Sequence, residues 1–104
     1  MKDFKWIVVM GVEEYRDSLN EVFQKSGIEA FSEVQVKGFR FTQSQLDSEE
    51  VPSGPMNPVY SVVCFSLIME DQAKVLMEQI NQFNKGHERA RALHAFQVNV
   101  EAVV

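Results

Sequence analysis

The side chains best suited to chemistry in this chain of 104 residues are four cations near its carboxyl end. They alternate with other residues along one stretch: Lys85, His87, Arg89 and Arg91. Arginine can bind a carboxylate or a phosphate through two parallel hydrogen bonds, so this group could form an anion site. The simpler alternative is a solvated turn, whose cations follow a helix and offset the negative end of its dipole.

The other reactive side chains favour structural roles. Cys64 lies inside an apolar run, where a cysteine acts as a small core side chain rather than as a nucleophile. His94 shares its parity with apolar neighbours, which favours a structural histidine over a ligand. Asp47, Glu49 and Glu50 fall in a loop, which by itself does not fix the geometry that acid–base catalysis needs. We therefore expect no enzyme, no catalytic residue and no metal ligand.

Composition limits the class of protein. A chain with 45% hydrophobic and 24% charged residues predicts one soluble globular domain over 1–104. The formal charge of −5 and the scattered cations disfavour binding to nucleic acid. Neither a secretory signal over 1–12 nor an apolar run of roughly 20 residues, as a membrane span requires, is evident. We expect a cytoplasmic protein without membrane insertion.

Two kinds of strand can be distinguished by their apolar pattern. Residues 5–12 and 60–68 are apolar almost without interruption, which predicts strands buried on both faces. Residues 30–41 and 94–104 alternate between apolar and polar side chains, which is typical of half-exposed strands at the edges of a sheet.

Helices and a long loop separate these strands. Apolar residues at helical spacing predict a helix over 13–26, ended by Gly27. A second helix is predicted from an N-cap at Asp71 to near Gly86. Residues 42–58 show no periodicity and are far more than a hairpin needs, which predicts a long loop.

This order predicts an α+β fold, the ferredoxin-like βαββαβ sandwich, with a four-stranded antiparallel sheet and two helices on one face. Right-handed crossovers place the first and third strands, which are apolar on both faces, at the centre. Large side chains on the uncovered face, such as Trp6 and Phe65, would each gain about 1.5–3 kcal/mol on burial. We expect self-association in a closed ring. The alternative is that the long loop or the chain ends cover this face.

The stretch 33–39, Glu-Val-Gln-Val-Lys-Gly-Phe, leads into the long loop. It resembles the end of the second strand in the nitrogen-regulatory P-II signalling proteins, and the order of elements is similar to theirs over most of the chain. The resemblance implies a homotrimer whose sheets face inward. It also implies small ligands, usually adenine nucleotides, in clefts between subunits, and a loop that senses the ligand or contacts a partner.

The resemblance and the cations near the carboxyl end together predict a set of ligand-binding residues, which we expect to be Lys37, Gly38, Phe39, Arg40, Lys85, Gly86, Arg89 and Arg91. The first three match the family's strand end, and Lys85-Gly86 lies where its second phosphate-binding loop begins. Arg40 replaces a family glycine and could act from a neighbouring subunit. The glycine-rich family turn is replaced at 87–92 by a stretch without glycine, so backbone amides would approach phosphates less closely. We therefore expect no cofactor, with an adenine nucleotide as the alternative.

Together these expectations describe a P-II-like trimeric regulatory protein. It would bind a small anionic ligand at subunit clefts and use the 42–58 loop as its effector element, including contact with a protein partner. Two alternatives remain. One is a metal-related trimer resembling the CutA proteins, which share this fold but usually lack so long a loop. The other is a small dimeric ferredoxin-like enzyme.

Overall fold

The structure is a computed structural model that describes residues 3–47, 58–88 and 92–104. Within these ranges, four strands and three α-helices follow one another, with a 3₁₀ turn, Glu13–Tyr15, before the first helix. The strands are β1 (Phe4–Val12), β2 (Ser32–Phe39), β3 (Pro58–Met69) and β4 (His94–Asn99). The helices are α1 (Arg16–Lys25), α2 (Gln43–Leu46) and α3 (Glu70–Asn84).

The four strands form one antiparallel sheet in the order β2-β3-β1-β4. Its register aligns Val8 of β1 with Phe65 of β3 and Phe96 of β4. The two strands that are apolar on both faces are thus central, and the alternating strands form the edges. The predicted ferredoxin-like fold is confirmed.

Several element boundaries differ from the prediction. The strands at 30–41 and 94–104 are shorter than predicted, whereas β3 is longer at both ends. Because β3 runs on to Met69, α3 begins at Glu70 and its N-cap is Met69, so the N-cap prediction at Asp71 was wrong. The first helix begins as the 3₁₀ turn rather than as α-helix at residue 13.

Gly27 ends α1 as predicted. Its φ of +73° is a left-handed conformation that glycine adopts without a Cβ clash. The Gly27 amide donates to the carbonyl of Gln24, and the Ile28 amide donates to the carbonyl of Phe23. These two bonds form a Schellman motif, which turns the chain so that Ile28 packs into the core beside Phe23.

The hydrophobic core lies between the sheet and the helices. It contains fully buried side chains from the two central strands, such as Ile7 and Val62, and from both long helices, such as Phe23 and Leu76. Cys64 belongs to this core, as the sequence predicted.

The opposite face of the sheet is apolar, and none of the helices in the described part of the chain packs on it. Paired residues point to the same face, so the register assigns one set of side chains to it. We call this set the uncovered face: Trp6, Val8, Met10, Val34, Val36, Val63, Phe65, Leu67, Met69, Phe96 and Val98. Its exposed members range from 36% to 49% accessible. Met69, at the end of β3, lies on this face and is 44% exposed.

Candidate functional site

The predicted ligand-binding residues that the structure describes all lie at one end of the sheet. We call it the loop end: β1 and β2 finish there, and β3 and β4 begin there. Lys37 pairs with Tyr60 near the start of β3, and Phe39 pairs with Pro58. Helix α3 runs back from the far end of β3, so Lys85 and Gly86 also come to the loop end. Arg89 and Arg91 lie outside the described residues.

Within one chain the two groups occupy opposite edges of the sheet. Lys37–Arg40 belongs to the β2 edge, whereas Lys85 and Gly86 directly precede the segment that leads into β4. Three strand spacings of about 4.8 Å separate β2 from β4, or roughly 14 Å. No hydrogen bond or ion pair joins the two groups in the part of the chain that the structure describes. One chain therefore presents the two predicted groups as separate candidate half-sites rather than as a single pocket.

The half-site on β2 combines a cation with aromatic surface. The Lys37 ammonium lies 5.6 Å from the centre of the Phe39 ring, a cation–π distance. Phe39 and Tyr60 are each 55% exposed beside it. At Gly38 a Cβ atom would lie 3.5 Å from the carbonyl oxygen of Val59, an ordinary contact, so the backbone does not require glycine here. Arg40 follows the strand and is exposed.

The half-site after α3 is held in place by an aromatic cluster. The His87 ring stacks on Phe83 at 4.3 Å between centroids, and Tyr15 meets both rings edge-on, at 5.3 Å from Phe83 and 5.5 Å from His87. The Nδ1 atom of His87 lies 2.6 Å from the carbonyl oxygen of Phe83, so that nitrogen carries the proton and donates. The ring is thereby folded back onto the end of the helix.

The turn after α3 already uses two of its backbone amides. The Lys85 amide donates to the carbonyl of Gln82 at 3.3 Å, and the His87 amide donates to the carbonyl of Asn84 at 3.0 Å. A phosphate cradle needs several free amides that point at the anion. An anion at this turn would therefore depend on side-chain cations, as the missing glycines predicted.

Arg16 and Glu33 form an ion pair with each other and not with the described residues of the loop end. Arg16 Nη2 lies 2.7 Å from Glu33 Oε2, and this hydrogen bond, followed by the carboxylate charge, raises the pKa of Arg16. Glu33 lies directly opposite Cys64 in the β2–β3 register.

His94 is exposed and lies opposite Met10 on the uncovered face rather than inside the core.

Cys64 is expected to be inert in the folded protein. The pKa of its thiol is raised from 9.0 to about 12. The larger cause is burial, and the smaller one is the nearby charge of Glu33. The thiolate is the nucleophile, so at pH 8 modification by iodoacetamide should be on the order of a thousandfold slower than in denaturant. Mass spectrometry measures the two alkylation rates. Equal rates for the native and the unfolded protein would contradict the buried placement of Cys64. The raised pKa also means that stability falls as the pH rises from 9 towards 12.

The described residues add two observations about classes of site. No α-helix among them is long and apolar enough to cross a membrane. The same part of the chain contains no group of three or more His, Cys, Asp or Glu side chains that could hold a metal ion.

Sequence reasoning missed Tyr15, Phe83 and Asn84 at this end of the molecule. Tyr15 and Phe83 read only as apolar positions of two helices, and their contact with His87 depends on how those helices pack. Asn84 offers a weak signal, since asparagine is common at chain turns. Its partner Leu93 is not evident from spacing.

No family model and no curated protein sequence matches this chain. Solved structures match it along nearly its whole length. CPII, a nitrogen regulatory PII-like protein from Thiomonas intermedia K12 bound to ADP, AMP and bicarbonate, has a TM-score of 0.60 at 11% identity, covering 97% of this chain and 96% of that one. PII from Arabidopsis thaliana bound to citrate has a TM-score of 0.66 at 16% identity, covering 95% of this chain and 78% of that one.

A third match is the GlnK–ATP complex of B. subtilis, with a TM-score of 0.62 at 9% identity over 95% of this chain and 86% of that one. Similarity at such identities establishes the fold and not the ligand. The chain therefore has the P-II-like fold, and the fold that the Val-Lys-Gly-Phe resemblance implied is confirmed.

Proposed function

We propose that this chain, which has the P-II-like fold, is a cytoplasmic single-domain regulatory protein that assembles as a homotrimer and binds a small anion between subunits. The 42–58 loop is its effector element and contacts a protein partner. The observation that carries the proposal is the position of the two half-sites, at the same end but at opposite edges of one sheet. A ring of subunits brings the β2 edge of one chain next to the β4 edge of its neighbour.

The uncovered face supports assembly. Monomers rarely expose a contiguous apolar surface larger than a few hundred Å². Here all four strands contribute apolar side chains to one face, and the described parts of the loop and the chain ends leave them accessible. A closed ring buries this face in every subunit, whereas an open chain of subunits would leave some of it in water.

The ligand class follows from the donors at the loop end. Lys37 and Arg40 come from one subunit and Lys85 from the next, joined in this proposal by Arg89 and Arg91. Such cations suit carboxylates and other compact anions. The amides that would suit a polyphosphate are partly engaged. Citrate and bicarbonate are therefore preferred probes over ADP, and each of the three is bound by one of the solved structures that share the fold.

A thermal-shift screen with citrate, bicarbonate and ADP tests the ligand class. A ligand at 100 times its dissociation constant stabilises the folded state by about 2.7 kcal/mol, which raises the melting temperature measurably. We expect a shift with citrate that is larger than the shift with ADP. A protein that responds to none of the three at millimolar concentration would contradict the proposed ligand class.

Gly86→Ala and Lys85→Ala separate side-chain from backbone recognition. At Gly86 a Cβ atom would meet no heavy atom within 4 Å, so Gly86→Ala should leave the fold intact. We expect citrate affinity to change by less than about threefold in Gly86→Ala but to fall about tenfold in Lys85→Ala, which loses one charge-assisted hydrogen bond. Isothermal titration calorimetry measures both. The reverse ranking would indicate that backbone amides hold the anion.

The effector segment has one regular feature among its described residues. Thr42 Oγ1 accepts from the Gln45 amide, and the Gln45 side chain accepts from the Thr42 amide, so α2 begins with a capping box. Leu46 at its end is 62% exposed, and Phe41 just before it is 45% exposed. These side chains support an apolar contact with a partner protein at the start of the loop.

A further inference from the structure

The last residue of α3 binds the backbone that leads into β4. The Asn84 Nδ2 atom donates to the carbonyl oxygen of Leu93 at 2.8 Å, and the Leu93 amide donates to Asn84 Oδ1 at 2.8 Å. One side-chain amide thus satisfies both backbone groups of Leu93. Only asparagine or glutamine carries a donor and an acceptor in this arrangement, and both bonds are partly buried.

Leu93 is itself fixed by the core. Its side chain is 2% exposed and lies against Gly11 of β1. A Cβ atom at Gly11 would come within 2.6 Å of Leu93 Cδ2, so the absence of a side chain at Gly11 is what makes room for Leu93. We call Gly11, Asn84 and Leu93 the latch. It connects the middle of the sheet to the end of α3.

The turn that carries the second half-site starts from the latch. Lys85 follows Asn84 directly, and the His87 amide donates to the Asn84 carbonyl. The turn that carries Lys85 and His87 is therefore attached to a residue whose side chain is held by Leu93. We infer that Asn84 is a positioning residue of the anion site: it fixes the turn Lys85–His87 against β1 and β4 without touching the ligand. This inference rests on the proposed function.

The test compares Asn84→Ala and Asn84→Asp with Ser26→Ala. Ser26 lies at the other end of the molecule, where its buried hydroxyl donates to the carbonyl of Val22 at 2.7 Å, so Ser26→Ala removes a buried side-chain hydrogen bond far from the loop end. Two quantities are measured at a temperature where all variants are folded. They are the affinity for citrate and the hydrogen-exchange protection of the Leu93 amide.

In Asn84→Ala the Leu93 amide should lose its hydrogen-exchange protection. Citrate affinity should fall about tenfold or more, because the donors of the turn are no longer held in one orientation. Asn84→Asp keeps the acceptor for the Leu93 amide but not the donor, so it should retain part of the protection of that amide, whereas its added negative charge beside Lys85 should weaken citrate binding further. Ser26→Ala should lose stability yet bind citrate like the wild type.

Two results would overturn the inference in distinguishable ways. If Asn84→Ala bound citrate with wild-type affinity while the Leu93 amide exchanged freely, the positioning role would be wrong and the proposed function would stand. Wild-type protein that binds no citrate would overturn the proposed ligand class and the positioning role with it.

Discussion

Leu67→Glu is expected to convert the proposed trimer into monomers. Leu67 lies opposite Trp6 on the uncovered face and is 40% exposed in the single chain. In a ring that buries this face, each subunit would place an unpaired carboxylate in an apolar interface, at about 3–5 kcal/mol per site. Association should weaken roughly 100-fold or more. Light scattering over a concentration series measures the change.

Val75→Glu is the matched control for this substitution. Val75 is also an exposed apolar residue, 42% accessible, but it lies on α3, on the other side of the molecule. We expect Val75→Glu to keep the wild-type mass, and both variants to keep the circular dichroism of the wild type because neither residue is in the core. If Leu67→Glu also kept the wild-type mass, the uncovered face would not be the interface.

Gly11→Ala is expected to destabilise the fold by about 1–3 kcal/mol, the usual cost of overpacking a well-packed core. The added methyl group would lie 2.6 Å from Leu93 Cδ2, and Leu93 is enclosed, so either the side chain or β1 must shift. Urea unfolding followed by circular dichroism, at one fixed protein concentration, gives the change in the free energy of unfolding.

Two further variants test whether a clash with Leu93 causes the loss of stability: Gly38→Ala, and Gly11→Ala combined with Leu93→Ala. Gly38 is also a strand glycine, but its added Cβ would make only an ordinary contact, so Gly38→Ala should change stability far less. Leu93→Ala alone should cost about 2–5 kcal/mol because it leaves a cavity. In the double variant, Gly11→Ala with Leu93→Ala, the new methyl group occupies part of that cavity. The double variant should therefore lose less unfolding free energy than the sum of the losses in the two single variants. Additive losses would exclude the predicted clash.

The fold could be predicted because burial differs between strands. The two central strands are apolar on both faces, of which one meets the helices and the other forms the uncovered face. The edge strands alternate, so the two kinds of strand can be told apart in the sequence. The alternating pattern of β2 placed Val34 and Val36 on one face and Glu33 on the other, as the register confirms. These patterns follow from the period of a strand and do not depend on details of packing.

The errors arose where local signals competed. Asp71 is a good N-cap residue, but pairing of Met69 with Phe4 extends β3 and moves the helix start to Glu70. The short helix α2 was missed, although Thr42 and Gln45 have the spacing of a capping box. A helix of one turn carries no periodicity that a pattern search could detect.

The site was predictable only in part. Strand and helix boundaries put Lys37 and Lys85 at the same end of the sheet, because crossover topology determines where each element finishes. The stacking of His87 on Phe83 and the bonds between Asn84 and Leu93 depend on side-chain packing between elements that are distant in sequence. In the proposed trimer the two half-sites meet only across neighbouring chains, and the sequence indicates such an assembly only through the apolar face of the sheet.

The central claim, that the binding site is shared between subunits, is tested most directly by complementation. One variant combines Lys37→Ala with Arg40→Ala, and the other carries Lys85→Ala. Neither should bind citrate well alone. After subunit exchange, each mixed trimer contains one interface with both half-sites intact, so calorimetry on the mixture should recover citrate binding with wild-type affinity at a reduced number of sites. A mixture that exchanges subunits but binds no better than its components would contradict the claim.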